Sequence, residues 1–294
     1  MSATDTDERV AAPFGRRATA VTGREQHGPY VVLRCADPDG PRPRAGQFYM
    51  LTAATRWGGG EDQRPFLPRA FSVLRAPPET DELHFMLEDV GPGTRRLCEL
   101  GPGDELLLVG PLGNGFARPR QGRRALLVGG GVGVAPLAIE QDVVESAGAD
   151  SIGGNAVKSA DADSIGAIPP ARRATVLLGF RDAAHAAGAQ LLAEAQVATD
   201  DGSVGHHGLV TDLLERELDT DHYSEVFACG PPAMLEAVRA LVHERGVPAQ
   251  LALESGMACG YGACFGCVVP TRQGYLRLCV DGPVLDAATL EHVG

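Results

Sequence analysis

Four cysteines near the end of the chain, Cys259, Cys264, Cys267 and Cys279, stand in the order C-x4-C-x2-C-x11-C. Thiolates are soft ligands, and the first three have the spacing with which a plant-type ferredoxin loop wraps a [2Fe–2S] cluster. Four thiolates converging on two irons need backbone N–H groups aimed at their sulfurs. Gly260, Gly262, Ala263 and Gly266 are small enough for the chain to fold that closely. A structural zinc site and a set of disulfides compete for the same residues. Zinc usually takes cysteines as two short knuckles rather than one continuous loop, and the total of seven cysteines is odd. The spacing therefore predicts an iron–sulfur cluster.

Three other stretches carry residue types suited to binding. Arg69-Ala-Phe-Ser72 puts a guanidinium and a hydroxyl at a strand entrance directly after a proline. Gly91-Pro-Gly-Thr94 precedes a short helical stretch, Arg95–Cys98, so that glycines and a hydroxyl form a corner able to receive an anion. Taken alone, an Arg before a strand is more often a solvated surface residue, and Gly-Pro-Gly is more often a plain turn. The third stretch, Gly129–Pro136, lies between the apolar strand Arg124–Val128 and an apolar helix expected to reach about Val144. Strand, glycine turn and helix begin a dinucleotide-binding unit, with pyrophosphate at the helix start. Gly131 and Gly133 fit its fingerprint, but Pro136 takes the place of the third glycine, and no acidic residue stands out about 20 positions on.

Cys229-Gly-Pro-Pro232 opens a further helix, to Arg245, with prolines suited to a first turn. Cys229 stands at a strand end where a nicotinamide ring would lie against it; packing of a small residue before Gly230-Pro231 explains it almost as well. His206-His207 reads as an exposed loop without a carboxylate partner nearby in sequence, and Cys35 and Cys98 read as packing residues.

The elements that must position these groups fall into three parts. Short strands are expected at Ala18–Val21, Tyr30–Arg34, Gln47–Leu51, Ala70–Leu74, Glu82–Leu87 and Glu105–Val109, separated by turns and without a long helical pattern. That pattern predicts a closed antiparallel β-barrel over residues 13–118. Residues 119–250 then alternate strand and helix: strand Thr175–Phe180, helix Ala187–Gln196, loop Thr199–Ser203, helix Leu209–Glu217 and strand Glu225–Ala228. The expected architecture there is an α/β doubly wound sheet with its ligand at the carboxyl ends of the strands. A stretch near 146–170, rich in Ala, Gly, Ser and Asp and containing Ala-Asp-Ser-Ile-Gly twice, interrupts it as a flexible insertion. Residues 251–294 make a small C-terminal [2Fe–2S] domain, completing a multi-domain chain.

Composition narrows the partners. A formal net charge of −12 argues against nucleic acid or an anionic membrane. The polar, acidic stretch Met1–Val10 has no signal-peptide core, and the most apolar run, Ala125–Ile139, holds four glycines and a proline. Cytoplasmic placement is expected, where a reducing pool keeps ligand thiols free.

In its order of barrel, dinucleotide sheet and cluster, the chain resembles the ferredoxin–NADP reductase superfamily, and within it the electron-transfer subunits of class 1B dihydroorotate dehydrogenase. The motifs that carry the resemblance are Arg69–Ser72, Gly91–Thr94, Gly110-Pro-Leu-Gly-Asn-Gly-Phe116, Leu127–Val134, Thr199–Ser203, Leu253-Glu-Ser-Gly-Met-Ala-Cys259 and, most specifically, Cys279-Val-Asp-Gly-Pro-Val284. The resemblance implies that Arg69 and Ser72 hold FAD oxygens, that Ala70 and Phe71 line its isoalloxazine, and that Gly93 and Thr94 bind its pyrophosphate. It implies that Met86, Leu87 and Glu88 run beside the flavin, and that Gly131, Gly133, Cys229, Gly230 and Pro231 face NAD(H). Two positions depart from the pattern: Phe71 lacks the hydroxyl of the tyrosine in many relatives, and Glu88 stands where such subunits commonly have a basic residue. The implied activity is electron transfer between NAD(H), FAD and a [2Fe–2S] cluster to or from an FMN-containing catalytic subunit in a heterotetramer, which oxidises dihydroorotate to orotate. A related flavin and iron–sulfur subunit of a ferredoxin:NADP transhydrogenase, sulfide dehydrogenase or hydrogenase would carry the same motifs. A redox-sensing binding protein would not need intact flavin and nucleotide motifs.

Overall fold

A computed structural model describes residues 15–58, 65–118, 124–150, 174–220 and 225–293. The first half alternates inward and outward side chains with the period of a strand. Leu106 and Leu108, Phe85 and Leu87, and Tyr49 and Leu51 are such pairs, all fully buried in one core. Six strands close around that core: β1 (Arg17–His27), β2 (Tyr30–Ala36), β3 (Phe48–Ala53), β4 (Arg69–Arg75), β5 (Glu82–Glu88) and β6 (Glu105–Leu112). They follow one another around the barrel as β1-β2-β5-β4-β3-β6, and β6 pairs back with β1. Closure leaves no open edge. Helix α1 (Pro92–Cys98) plugs one end, with Leu97 buried in the barrel core.

Beyond the barrel, strand β7 (Ala125–Gly130) is buried along its whole length, as a central parallel strand covered on both faces should be. It is joined by β8 (Thr175–Phe180), β9 (Gln196–Thr199), β10 (His206–His207), β11 (Glu225–Cys229), β12 (Ala249–Ala252) and β15 (Val284–Asp286) in the order β10-β9-β8-β7-β11-β12-β15. All pairs are parallel except β12 with β15. Helices α2 (Val134–Asp150), α3 (Val210–Thr220) and α4 (Pro232–Arg245) accompany the sheet. A hairpin of β13 (Val268–Thr271) and β14 (Gly274–Arg277) stands apart. The sheet thus takes strands from both sides of position 250. The cluster segment leaves it through β12 and returns through β15, so the segment is anchored at both ends.

The barrel and the doubly wound sheet match the sequence expectation, with three differences. Helix α2 continues to Asp150 rather than ending near Val144. Local hydrogen bonds carry it on, from Gln141 Nε2 to Glu145 (3.2 Å) and from Ser146 Oγ to the Val143 carbonyl (3.1 Å). The rest of the expected insertion, residues 151–170, lies outside the described residues. The helix expected over Ala187–Gln196 is a 3-10 turn, His185–Leu191, followed by β9. Gly188 lets this turn pack closely, since a Cβ there would sit 3.0 Å from the Tyr30 ring and 3.2 Å from Met86. Finally, His206 has a carboxylate partner, since its Nε2 lies 3.2 Å from Asp212 Oδ2 at the start of α3.

Candidate electron-transfer centre

The cluster loop is built from backbone. Gly260 and Gly262 have φ of +83° and +86°, a left-handed conformation that glycine adopts without steric cost. Neither could carry a side chain, because a Cβ would fall 2.5 Å from Met50 Cγ at Gly260 and 2.7 Å from Val280 Cγ2 at Gly262. The loop is therefore pressed between the barrel and the returning C-terminal segment, and its N–H groups turn inward. Burial alone would raise the Cys259 pKa, but the N–H groups of Cys264, Tyr261 and Ala263, with the Cys264 thiol, together outweigh it and bring the pKa down to about 6. Cys279 is pushed up to about 12, first by burial and then by its bond to Cys267 and that thiol's charge.

The thiols form two pairs. Cys259 and Cys264 are hydrogen-bonded to each other, and the Cys279 N–H approaches Cys267 Sγ at 3.5 Å. Among the described residues, no three His, Cys, Asp or Glu side chains close on one point as a single metal ion requires. Four thiols gathered in an N–H cradle suit a [2Fe–2S] cluster, which takes two thiolates on each iron. None of the seven cysteines is in a disulfide. Cys267 and Cys279 are buried, whereas Cys264 is exposed. Tyr261 and Phe265 flank it at 57% and 63% exposure, and the Arg277 guanidinium lies 5.3 Å from the centre of the Phe265 ring.

A cavity of about 240 Å³ lies where barrel, sheet and cluster segment meet. It brings together Arg69, Ala70, Phe71, Ser72, Met86 and Thr94. The β3–β4 register sets Ser72 opposite Phe48, and turns in the sheet and after β12 complete the wall with Val132, Leu253 and Glu254. Gly93 sits on the Arg69 guanidinium so closely that a Cβ would fall 2.6 Å from Nε. Thr94 Oγ1 accepts from Gly91 N–H at 3.0 Å and holds this corner in shape. A guanidinium beside bare backbone is a fit for the phosphates of a flavin dinucleotide. Leu87 does not join the cavity. It is one residue out of phase with Met86 along β5 and points into the barrel core.

Glu88 is also not beside the flavin cavity. It lines a second one, of about 530 Å³, over the carboxyl ends of β7, β8, β9 and β11. Gly131 and Pro231 line this crevice, and Gly131 has the φ of +55° that its turn requires. Gly133 answers a different need, since a Cβ would lie 2.2 Å from the Cys229 carbonyl oxygen. Gly230 packs under Met234 in the same way. Cys229 itself is 2% exposed and lines neither cavity; burial, then the charge of Glu254, drives its thiol pKa well above the usual value. Glu254 is the group that sequence reasoning passed over, although it stands inside the Leu253–Cys259 motif. It lines the open flavin cavity as an exposed residue, and partial desolvation of its carboxyl by the cavity walls raises its pKa. The signal was an acidic residue directly after an apolar strand, at a carboxyl end of the sheet.

Residues 254–291 match the family model described as the iron–sulfur cluster binding domain of dihydroorotate dehydrogenase B. The chain is 34% identical over 243 residues to the dihydroorotate dehydrogenase B (NAD(+)) electron transfer subunit of Clostridium acetobutylicum, covering 82% of this chain and 83% of that one. It is 36% identical to the same subunit of Geobacillus thermodenitrificans, covering 82% and 84%. Among solved structures, an NADH-dependent reduced ferredoxin–NADP oxidoreductase superposes with a TM-score of 0.73 at 24% identity, covering 95% of this chain and 92% of that one. A ferredoxin NADP+ reductase from Neisseria gonorrhoeae, with FAD and NADP bound, superposes at 0.55 with 21% identity, covering 79% and 92%. These two likenesses establish the fold.

Proposed function

The chain belongs to the family of dihydroorotate dehydrogenase B electron transfer subunits, and from that premise we propose that it passes electrons between NAD(H) and an FMN-containing catalytic subunit that interconverts dihydroorotate and orotate. The observation that carries this reading is the meeting of the flavin cavity, the nucleotide crevice and the cluster loop around the turn Gly131–Val132 and the segment Leu253–Cys259. Bound FAD would accept a hydride and release its electrons singly, and a [2Fe–2S] cluster would pass them on one at a time.

The residues of the chain bind, orient and shield. Arg69 and the Gly93 backbone would hold the flavin phosphates, and Phe71 and Ala70 would line the ring. Ser72 and Glu254 line the same cavity, where desolvation raises the Glu254 carboxyl's pKa and a bound flavin would meet both residues. Gly131 leaves backbone open toward a nucleotide pyrophosphate, and Gly133 allows its turn to reach the end of β11. Cys259, Cys264, Cys267 and Cys279 would ligate the irons. Cys229, neutral and buried, would support the floor near the nicotinamide rather than react.

The exposed rings of Tyr261 and Phe265 around Cys264 support docking of the catalytic subunit over residues 257–267, since aromatic anchors often dominate interface energy. Two copies of each chain would form the complex. Among the described residues no helix is long and apolar enough to cross a membrane. Seven free thiols support a reducing, cytoplasmic setting. The test is reconstitution. The isolated chain, loaded with FAD and cluster, should reduce dyes with NADH and leave dihydroorotate untouched. Adding the FMN subunit should produce NAD-dependent orotate formation, and failure to do so would refute the assignment.

A further inference from the structure

The nucleotide crevice contains a charge arrangement that neither the fold nor the cluster explains. Among the described residues lining it, Arg181 carries the only guanidinium or ammonium group, and Glu88 and Asp200 are the carboxylates. Arg181 follows β8 and Asp200 follows β9, and the two ends are tied by the Asp201 N–H to the Arg181 carbonyl at 3.3 Å. Glu88 comes from the other domain, at the last position of β5 in the barrel. Its Oε1 accepts from Arg181 Nη2 at 2.9 Å, while Arg181 Nε donates to His185 Nε2 at 2.8 Å. His185 in turn holds Asp182, with Nδ1 to Oδ1 at 2.6 Å. The cation is thus paired with a barrel carboxylate, although 62% of the Arg181 side chain stays exposed at the crevice mouth.

Strand order says which part of a dinucleotide meets it. The flavin cavity is walled by Leu253 and Glu254, which follow β12, on the β11 side of the glycine turn. A nicotinamide that reaches the flavin must lie on that side, so a dinucleotide straddling β7 puts its adenosine over β8 and β9. There the ribose would find Asp200 and the neutralised Arg181. A ribose hydroxyl can donate to a carboxylate, whereas a 2′-phosphate needs a free guanidinium and is repelled by the carboxylates.

We infer that Glu88 is a specificity-determining residue, which selects NADH over NADPH by withholding the Arg181 guanidinium from a 2′-phosphate. The inference rests on the reading of the crevice as the NAD(H) site. The test uses the full chain loaded with FAD and cluster, with calorimetric titration of 5′-AMP and adenosine 2′,5′-bisphosphate beside dye-linked oxidation of NADH and NADPH. Releasing one charge-assisted contact should raise the affinity of Glu88→Gln for the bisphosphate relative to 5′-AMP about tenfold. The NADPH to NADH ratio of kcat/KM should rise in parallel. Adding Arg181→Ala to Glu88→Gln should abolish the gain, since the freed guanidinium is its source. If both ligands bind and Glu88→Gln leaves their ratio within about twofold of wild type, the role of Glu88 is refuted alone. If the wild-type chain binds neither, the nucleotide reading fails and this inference with it.

Discussion

The cluster loop and the flavin cavity solve opposite problems. All four cluster thiols lie within residues 259–279, and backbone N–H groups of the same loop shape their environment. The flavin cavity draws on seven separate stretches, from Phe48 on β3 to Pro283 before β15. One site is a property of a segment; the other is a property of how the barrel meets the sheet. A lesion in the loop should therefore stay local, while the flavin cavity should respond to changes in any of its walls.

The largest expected effect tests the first half of that contrast. Cys264→Ser removes an exposed thiol proposed as a cluster ligand, on which no core packing depends. It should abolish the cluster's visible absorption and its iron and sulfide while the chain stays folded and FAD stays bound. Coupled loss of flavin would show that the two sites are not independent. Stoichiometric zinc in the freshly purified wild-type chain would overturn the cluster itself.

Arg69→Ala is the counterpart at the flavin cavity. Loss of a charge-assisted contact is worth about 1.5–3 kcal/mol, so FAD should bind more than about tenfold more weakly while iron content is unchanged. Retention of FAD through extensive dialysis would remove Arg69 from the role assigned to it.

The same contrast explains what the sequence made legible. Cysteine spacing encodes the loop because ligands and cradle are neighbours in the chain. Arg69–Ser72 and Met86 were legible through their motif and resemblance, and their strands through alternation. Glu254 was not, because its importance arises only where the end of β12 joins β4 in lining one cavity. The motif names Met86, Leu87 and Glu88 as one run, but alternation along β5 turns Leu87 inward, and Glu88 is the last residue of the strand, where the barrel borders the sheet. Leu87 entered the barrel core and Glu88 crossed to the nucleotide crevice. The close packing of the turn at His185–Leu191 was hidden for a similar reason, since the need for Gly188 comes from Tyr30 and Met86 on the barrel.

A smaller effect separates both sites from the scaffold. Glu140 on α2 is 2% exposed, and its Oε1 has no hydrogen-bond partner among the described residues. Burial, then the charge of Glu225, pushes its pKa from 4.5 up to about 7. A carboxyl raised in the folded state binds its proton more tightly there than in the unfolded chain. Its destabilising effect is absent below about pH 4.5, grows between pH 4.5 and about 7, and is complete above. Glu140→Gln should therefore stabilise the chain by on the order of 1–2 kcal/mol at pH 8 and hardly at all at pH 4. Denaturant titrations at the two pH values would check this, and equal effects at both would refute it.

The central claim is that electrons leave or enter this chain through the loop rather than directly from the flavin. The most direct measurement is rapid-mixing spectroscopy of NADH with complexes of the FMN subunit and either the wild-type or the Cys264→Ser chain, without oxygen. In the wild type, FAD, cluster and FMN should all become reduced. In Cys264→Ser, FAD should still be reduced by NADH while FMN stays oxidised and no orotate is turned over. Reduction of FMN at the wild-type rate in the variant would contradict the account.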